Sequence, residues 1–334
     1  MGNSDLLTTE YMRDKEHSAD LLNYMLYSGN QIIKPDDLQE LNPNIVYDCI
    51  SYNNSDTIYN RIKDVMMKCT IMHDRTANYI IFSIENQTDI NLTMPIRNMF
   101  SDSLQYMNQL EEFKKIHKGK HDLKKNEFVS GISENDKFLP VITVTVYWGA
   151  DKWTAPKRLY EMLATSDKNV LKYVNNYDIN LIEPASIDDF SKFSTELGAV
   201  FDFINKSTDK KLLMSIVKQS SDRFSDMSIK SVRLINQITG TKISLTKNQT
   251  PEGGIDVCEA LQEIIEDEKK VIREKYEKEI SERDNALAEK DNTIAEKDNA
   301  LAERDNTIAE KDNTIAEKDA EIAMLKKKLE ALGA

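Results

Sequence analysis

Glycine, proline and cysteine are scarce in this chain. Ten glycines and seven prolines in 334 residues leave few backbone breaks, which with 30% charged residues points to much helix. Three cysteines, Cys49, Cys69 and Cys258, are odd in number and far apart. They outline neither a disulfide framework nor a zinc cluster, and they suit a reducing cytosol. Four histidines (His17, His73, His117, His121) fall into no HExxH or comparable metal spacing. No apolar run approaches the roughly 18 residues that a membrane-spanning helix needs. The stretch from Met1 to Arg13 is polar and acidic, unlike a secretory leader. These absences set the expectation of a cytoplasmic protein with no membrane partner.

What is present is enough apolar residue, 40%, for a real core in one large or two modest domains plus an extension. The net charge of −13 divides unevenly. Residues 255–334 hold 23 acidic and 14 basic side chains, whereas residues 1–254 hold 34 and 30. The body is therefore nearly neutral, and only local patches can speak for or against a nucleic-acid partner.

The stretch Tyr79-Ile80-Ile81-Phe82-Ser83-Ile84-Glu85-Asn86-Gln87 reads as a buried strand ending in a carboxylate and an amide. Alternate strand residues share a face, so Glu85 and Gln87 project together and Asn86 points away. Asp64 opens an earlier apolar run, Val65-Met66-Met67. If the two runs pair as a hairpin, Asp64 and Glu85 converge at one end of the sheet. Two carboxylates, the Asn86 backbone carbonyl and an amide make the hard-oxygen donor set that Mg²⁺ or a similar divalent cation accepts. A turn aspartate and a solvated rim glutamate would give the same spacing.

The pattern Asp64-(x20)-Glu85-x-Gln87, followed by Met94-Pro95-Ile96-Arg97 and a helix carrying Tyr106, resembles the recombination-promoting nuclease / putative transposase family. That family belongs to the PD-(D/E)XK nuclease superfamily. The resemblance runs from about Asp5 to about Leu245, and Ile84-Glu85-Asn86-Gln87 with Met94-Pro95-Ile96-Arg97 is its most specific part. It implies a restriction-endonuclease-like core and metal-dependent DNA cleavage. Asp64, Glu85 and Gln87 would be the catalytic set, with the metal on Asp64, Glu85 and the Asn86 carbonyl. It also implies Asp20, on the first helix, as an accessory ligand, and Arg97 as a supporting or phosphate-contacting residue. The sequence departs from the superfamily at Gln87, where the usual residue is a lysine that orients the attacking water.

Around this site the order is helix, strands, helix, strand, which fits α/β packing about a small mixed sheet. Residues 10–27 carry a helical apolar pattern, and Asn44 to Ser51 reads as a first strand. His73-Asp74-Arg75 reads as the turn between the two site strands. A helix starts near Met94-Pro95, with Ile96, Met99, Phe100, Ser103, Leu104, Met107 and Leu110 as its predicted apolar face. Lys114, Lys115, Lys118, Lys120, Lys124 and Lys125, interleaved with His117 and His121, form the one dense basic cluster. Such a cluster is a solvated loop or, in a nuclease, a phosphate-contacting surface. Leu139 to Trp148 is the strongest strand signal, and Ile179 to Ile182 suggests an edge strand. Residues 1–153 are thus expected as the nuclease-like core and 154–250 as a mostly helical cap.

Beyond Gly253-Gly254, residues 255–334 read as one long helix. From Glu282 five nearly perfect heptads repeat, with Leu287, Ile294, Leu301, Ile308, Ile315 and Ile322 as a stripe. Ile322, Leu325, Leu329 and Leu332 step by 3, 4 and 3, which sets the stripe at position a and Lys290, Lys297, Arg304, Lys311 and Lys318 at d. Lysine at d packs poorly and repels its own copy, so the expectation is a weak homodimer through a half-apolar seam. The whole reads as a metal-dependent DNA endonuclease. The alternative is a non-catalytic interaction protein, a degenerate nuclease fold that displays a multimerising rod.

Overall fold

The computed structural model describes residues 3–49, 57–73 and 76–332. In chain order the elements begin with helices α1 (Asn3–Arg13) and α2 (Lys15–Tyr27), then strands β1 (Leu38–Glu40), β2 (Asn44–Cys49), β3 (Thr57–Ile62), β4 (Val65–His73) and β5 (Thr76–Gln87). Helix α3 (Met94–Lys120), strand β6 (Val141–Tyr147), helix α4 (Lys168–Leu171) and strand β7 (Asn180–Ile182) follow. Helices α5 (Leu197–Lys206), α6 (Lys210–Gln219), α7 (Ser221–Phe224), α8 (Ile229–Thr239) and α9 (Val257–Leu332) complete the chain.

The helical pattern over 10–27 is broken at Asp14, whose side chain caps α2 by accepting the Glu16 N–H at 3.1 Å. The predicted strand at 44–51 is β2, antiparallel to β3, and its last two residues lie outside the described part. So do Asp74 and Arg75 of the expected turn.

The main sheet has the order β1-β4-β5-β6-β7. β4 is antiparallel to β5, whereas β5, β6 and β7 run parallel. The parallel step from β5 to β6 needs a crossover, and α3 supplies it. One face of the sheet is apolar. Ile80, Phe82 and Ile84 of β5 join Val65, Met67, Val144 and Val146 in a cluster that also holds Phe201 and Phe203 of α5 and Leu234 and Ile235 of α8. The segments expected as nuclease-like core and helical cap therefore share one apolar interior.

The other face lies under α3, and here the structure corrects the sequence reading. Ile96 and Phe100, predicted to face inward, are exposed. The buried side of α3 includes Asn98, Ser101, Asp102 and Leu104. The reason is the strand face beneath it, which carries Ser83 and Glu85 of β5 beside Thr143 and Thr145 of β6. Buried polar groups need partners, and a helix with hydroxyl, amide and carboxylate side chains supplies them where an apolar one could not.

Residues 1–264 form one compact unit and residues 265–334 a second. The expected junction at Gly253-Gly254 lies inside the first. Ile255 exchanges backbone hydrogen bonds with Met227, and Ile255, Val257, Ala260 and Leu261 are buried. The opening turns of α9 are thus part of the body's core. In the second unit α9 continues as a solvent-exposed helix.

Candidate active site

The β4/β5 hairpin fixes the centre of the site. Val65 stands opposite Ile84, which brings Asp64, the residue before β4, and Glu85 to the same end of the hairpin, near enough for the charge of Glu85 to act on Asp64. Both lie on the face opposite to Val65 and Ile84, which point into the apolar interior. Asp64 Oδ2 accepts the Asn86 backbone N–H at 2.6 Å. Burial and the negative charge of Glu85 push its carboxyl up to about 6, while the Asn86 N–H and the Arg97 guanidinium oppose the rise.

Glu85 is 2% exposed. Two cations face it. Lys63 Nζ lies 3.4 Å from Glu85 Oε1, and Arg97 Nη2, on the first turn of α3, lies 3.6 Å from Oε2. Lys63 is itself 2% exposed and donates to Thr143 Oγ1 at 3.0 Å. A second carboxylate, Asp102, lies 3.7 Å from the same ammonium. Asp102 also accepts hydrogen bonds from Thr143 Oγ1 and the Tyr177 hydroxyl, each at 2.5 Å. Burying one ammonium costs several kcal/mol unless it is paired and hydrogen-bonded; Lys63 has two carboxylates and a hydroxyl.

The remaining candidates sort by contact. The Asn86 side chain points to the other face, where its Oδ1 accepts from Trp148 Nε1 at 2.9 Å. Gln87 folds back so that its amide donates to the Asn86 carbonyl at 2.7 Å, joining two groups that were expected as separate ligands. Asp20 has its oxygens taken elsewhere: they accept the backbone N–H groups and hydroxyls of Ser194 and Thr195 at 2.6–3.1 Å. The acidic residue of the N-terminal helices whose charge reaches Asp64 is Asp5, on α1. The basic cluster stands at the far end of α3. Lys114 is seventeen residues beyond Arg97, roughly 26 Å along the axis at 1.5 Å per residue. There Lys114 pairs with Glu111 and Lys124 with Glu134, while Lys115, Lys118, Lys120 and Lys125 are exposed.

Asp5, Lys63, Asn98 and Asp102 went unread in the sequence. Two signals for them were present. Thr143 and Thr145 alternate with valines along β6, marking one strand face as polar, and Asn98, Ser101 and Asp102 recur at helical spacing on α3. Lys63, a single lysine before an apolar run, carried none.

A family model described as "Putative transposase, YhgA-like" matches residues 3–233. The chain belongs to this YhgA-like transposase family. No curated protein and no solved structure matches it. The match spans every element named in the site, from Asp5 on α1 to Tyr177 before β7. Among the described residues no helix is long and apolar enough to cross a membrane.

Asp64 and Glu85 give this YhgA-like site two carboxylates. Mg²⁺ is commonly held by one or two carboxylates with water and substrate phosphate filling the rest of its shell. Among the described residues no group of three or more His, Cys, Asp or Glu side chains is placed to hold a metal. Asn98 adds one observation: its Nδ2 donates to Thr145 Oγ1 at 3.0 Å, whereas its buried Oδ1 finds no hydrogen-bond donor among the described residues. Thr145 is the register partner of Glu85, so Asn98 reaches the strand position beside Glu85.

Proposed function

We propose that this YhgA-like transposase is a metal-dependent DNA endonuclease with a restriction-endonuclease-like core, reacting at Asp64 and Glu85. The observation that carries the reading is the pairing of these carboxylates on one sheet face beside a buried lysine. Asp64 and Glu85 would hold a divalent cation, which when bound lowers the pKa of water and polarises phosphate. Asp64, with its carboxyl near 6, is ionised at neutral pH and free of its proton when a cation is to be held. Lys63 supplies the fixed positive charge that Gln87 lacks. Its ammonium is held against Glu85 from the side of Thr143 and Asp102. Arg97, with its side chain 32% exposed, would touch a phosphate. The exposed lysines at the far end of α3 would follow the DNA backbone away from the reacting bond.

A second reading has its own support. Glu85 is already faced by two cations, as in a fold that has given up its metal and keeps the carboxylate for structure. The exposed stripe of α9 suits either reading and adds self-association as a homodimer. The test is cleavage of supercoiled plasmid with Mg²⁺, with and without chelator, by the parent and by Asp64→Asn. The endonuclease reading expects chelator-sensitive nicking that falls at least 100-fold in the variant. Equal nicking by both proteins puts the reaction elsewhere than Asp64, and none by a folded parent leaves the non-catalytic reading.

A further inference from the structure

The exposed part of α9 carries its charges in an order that a single helix cannot use. In the repeats they are consecutive, as in Glu296-Lys297-Asp298. Opposite charges support a helix when they are three or four residues apart and share a face. The residues three and four away from Lys297 are Thr293, Ile294, Ala300 and Leu301; those around Asp298 are Ile294, Ala295, Leu301 and Ala302. The repeats around Lys290, Arg304 and Lys311 are alike, and only at the two ends of the run do Arg283 and Lys318 have an acidic residue at that spacing, Glu279 and Glu321. At the start of the run Lys278 and Glu282, the first residue of the repeats, do pair, at 3.9 Å, because four residues separate them. An exposed helix without such pairs, and with an apolar stripe, gains its stability from a partner. The stripe is open to one: Leu287, Ile294, Leu301, Ile308, Ile315 and Ile322 are each 48–63% exposed.

The flanks of the stripe say what the partner is. At the 3.5 residues per turn of a left-handed coil, residues three on and four back from the stripe lie about 51° to one side, and those four on and three back lie about 51° to the other. On the first flank stand Arg283, Lys290, Lys297, Arg304, Lys311 and Lys318. On the second stand Asp284, Asp291, Asp298, Asp305, Asp312 and Asp319. One flank is wholly basic and the other wholly acidic. We propose that two copies of this chain pair through the stripe as a parallel, in-register coil, the basic flank of each along the acidic flank of the other.

The orientation follows from symmetry. A two-fold axis along a parallel pair sets opposite flanks of the two helices together, whereas an antiparallel pair sets like flanks together. Parallel pairing therefore gives a lysine-to-aspartate ladder on both sides, and antiparallel pairing gives lysine against lysine. Turning each helix by about 26° from the a/d reading centres the isoleucines and leucines and takes lysine off the seam, so it no longer faces its own copy. Near-identical repeats alone would allow a slip of seven residues. Leu325 and Leu329 occur only past the last repeat and match only in register. The orientation rests on the self-association reading of α9, and the experiment separates the two.

Full-length chains carrying Ile294→Cys or Ile322→Cys are oxidised and the disulfides mapped by mass spectrometry, with light scattering on the parent. The expected result is a dimer mass with 294–294′ and 322–322′ disulfides, and no 294–322′ disulfide when the two variants are mixed. Replacing Asp291, Asp298, Asp305 and Asp312 by Lys should reduce the chain to a monomer. Mixing it with the reciprocal variant, Lys290, Lys297, Arg304 and Lys311 to Asp, should restore the dimer. A 294–322′ disulfide overturns the orientation while self-association stands, and a 294–301′ disulfide, formed when Ile294→Cys is mixed with a Leu301→Cys chain, overturns the register. A monomeric parent at all concentrations overturns both readings.

Discussion

Asp64→Asn should make the protein more stable at neutral pH, although it removes a proposed ligand. The Asp64 carboxyl is held at about 6 against an ordinary 3.8, chiefly by burial and the charge of Glu85. A raised acid pKa means that the folded state keeps the proton longer than the unfolded chain does. Asp64 is therefore neutral and without penalty below 3.8, and the folded state loses stability as pH rises from there through about 6. At about 1.36 kcal/mol for each pH unit between those two values, the loss comes to about 3 kcal/mol by pH 8. Asparagine has no charge to desolvate, and its carbonyl can still accept the Asn86 N–H. The variant should thus exceed the parent by up to about 3 kcal/mol at pH 8, or about 5–10 °C in melting temperature for a body of this size. Thermal unfolding by circular dichroism from pH 3.5 to 8 measures this. The gap should close towards pH 4, and millimolar Mg²⁺ should raise the melting temperature of the parent but not of the variant. A variant that is less stable at pH 8, or a gap independent of pH, would refute the reasoning.

Lys63→Met keeps the side-chain length but strands Glu85 and Asp102 in the interior, so urea unfolding should show a loss of about 3–5 kcal/mol; a loss below about 1 would mean that Lys63 is not their counter-charge. Neutralising Lys114, Lys115, Lys118 and Lys120 together should lower the slope of log affinity for DNA against log salt by up to about 3.6, whereas an unchanged slope makes them solvated charge only. His117 holds Asp122 at 2.6 Å and Asp136 at 2.8 Å through its two ring nitrogens, and these hydrogen bonds raise its pKa above the ordinary 6.5. The clamp is complete below 6.5 and is lost as pH rises through that raised value, so residues 121–138 should be cut faster by protease at pH 9 than at pH 6, and His117→Gln should abolish the difference. Truncation after Ile264 should leave a folded body, whereas truncation after Gly254 removes buried Ile255, Val257 and Leu261, each worth about 1.5–3 kcal/mol, and should lower the melting temperature sharply.

The sequence by itself determined what periodicity and local chemistry control. The strand ending in Glu85, the hairpin partner opened by Asp64, the strand signal of Leu139 to Trp148 and the heptads of α9 all follow from spacing along the chain, and so they were legible before any fold was known. The tertiary structure decided what depends on which surface meets which. The inward face of α3 was misread because isoleucine and phenylalanine outrank asparagine and aspartate until the threonines of β6 are placed beneath it. Lys63 has no periodic partner, and only the packing of α3 over β5 and β6 brings Glu85, Thr143 and Asp102 around its ammonium. Asp5 rather than Asp20 acts on Asp64 because α1 and α2 are separate helices, and the loop at Ser194-Thr195 takes the oxygens of Asp20 for its own backbone. Burial of a charge is a property of three-dimensional neighbours, which is why the pair was legible and the groups that tune it were not.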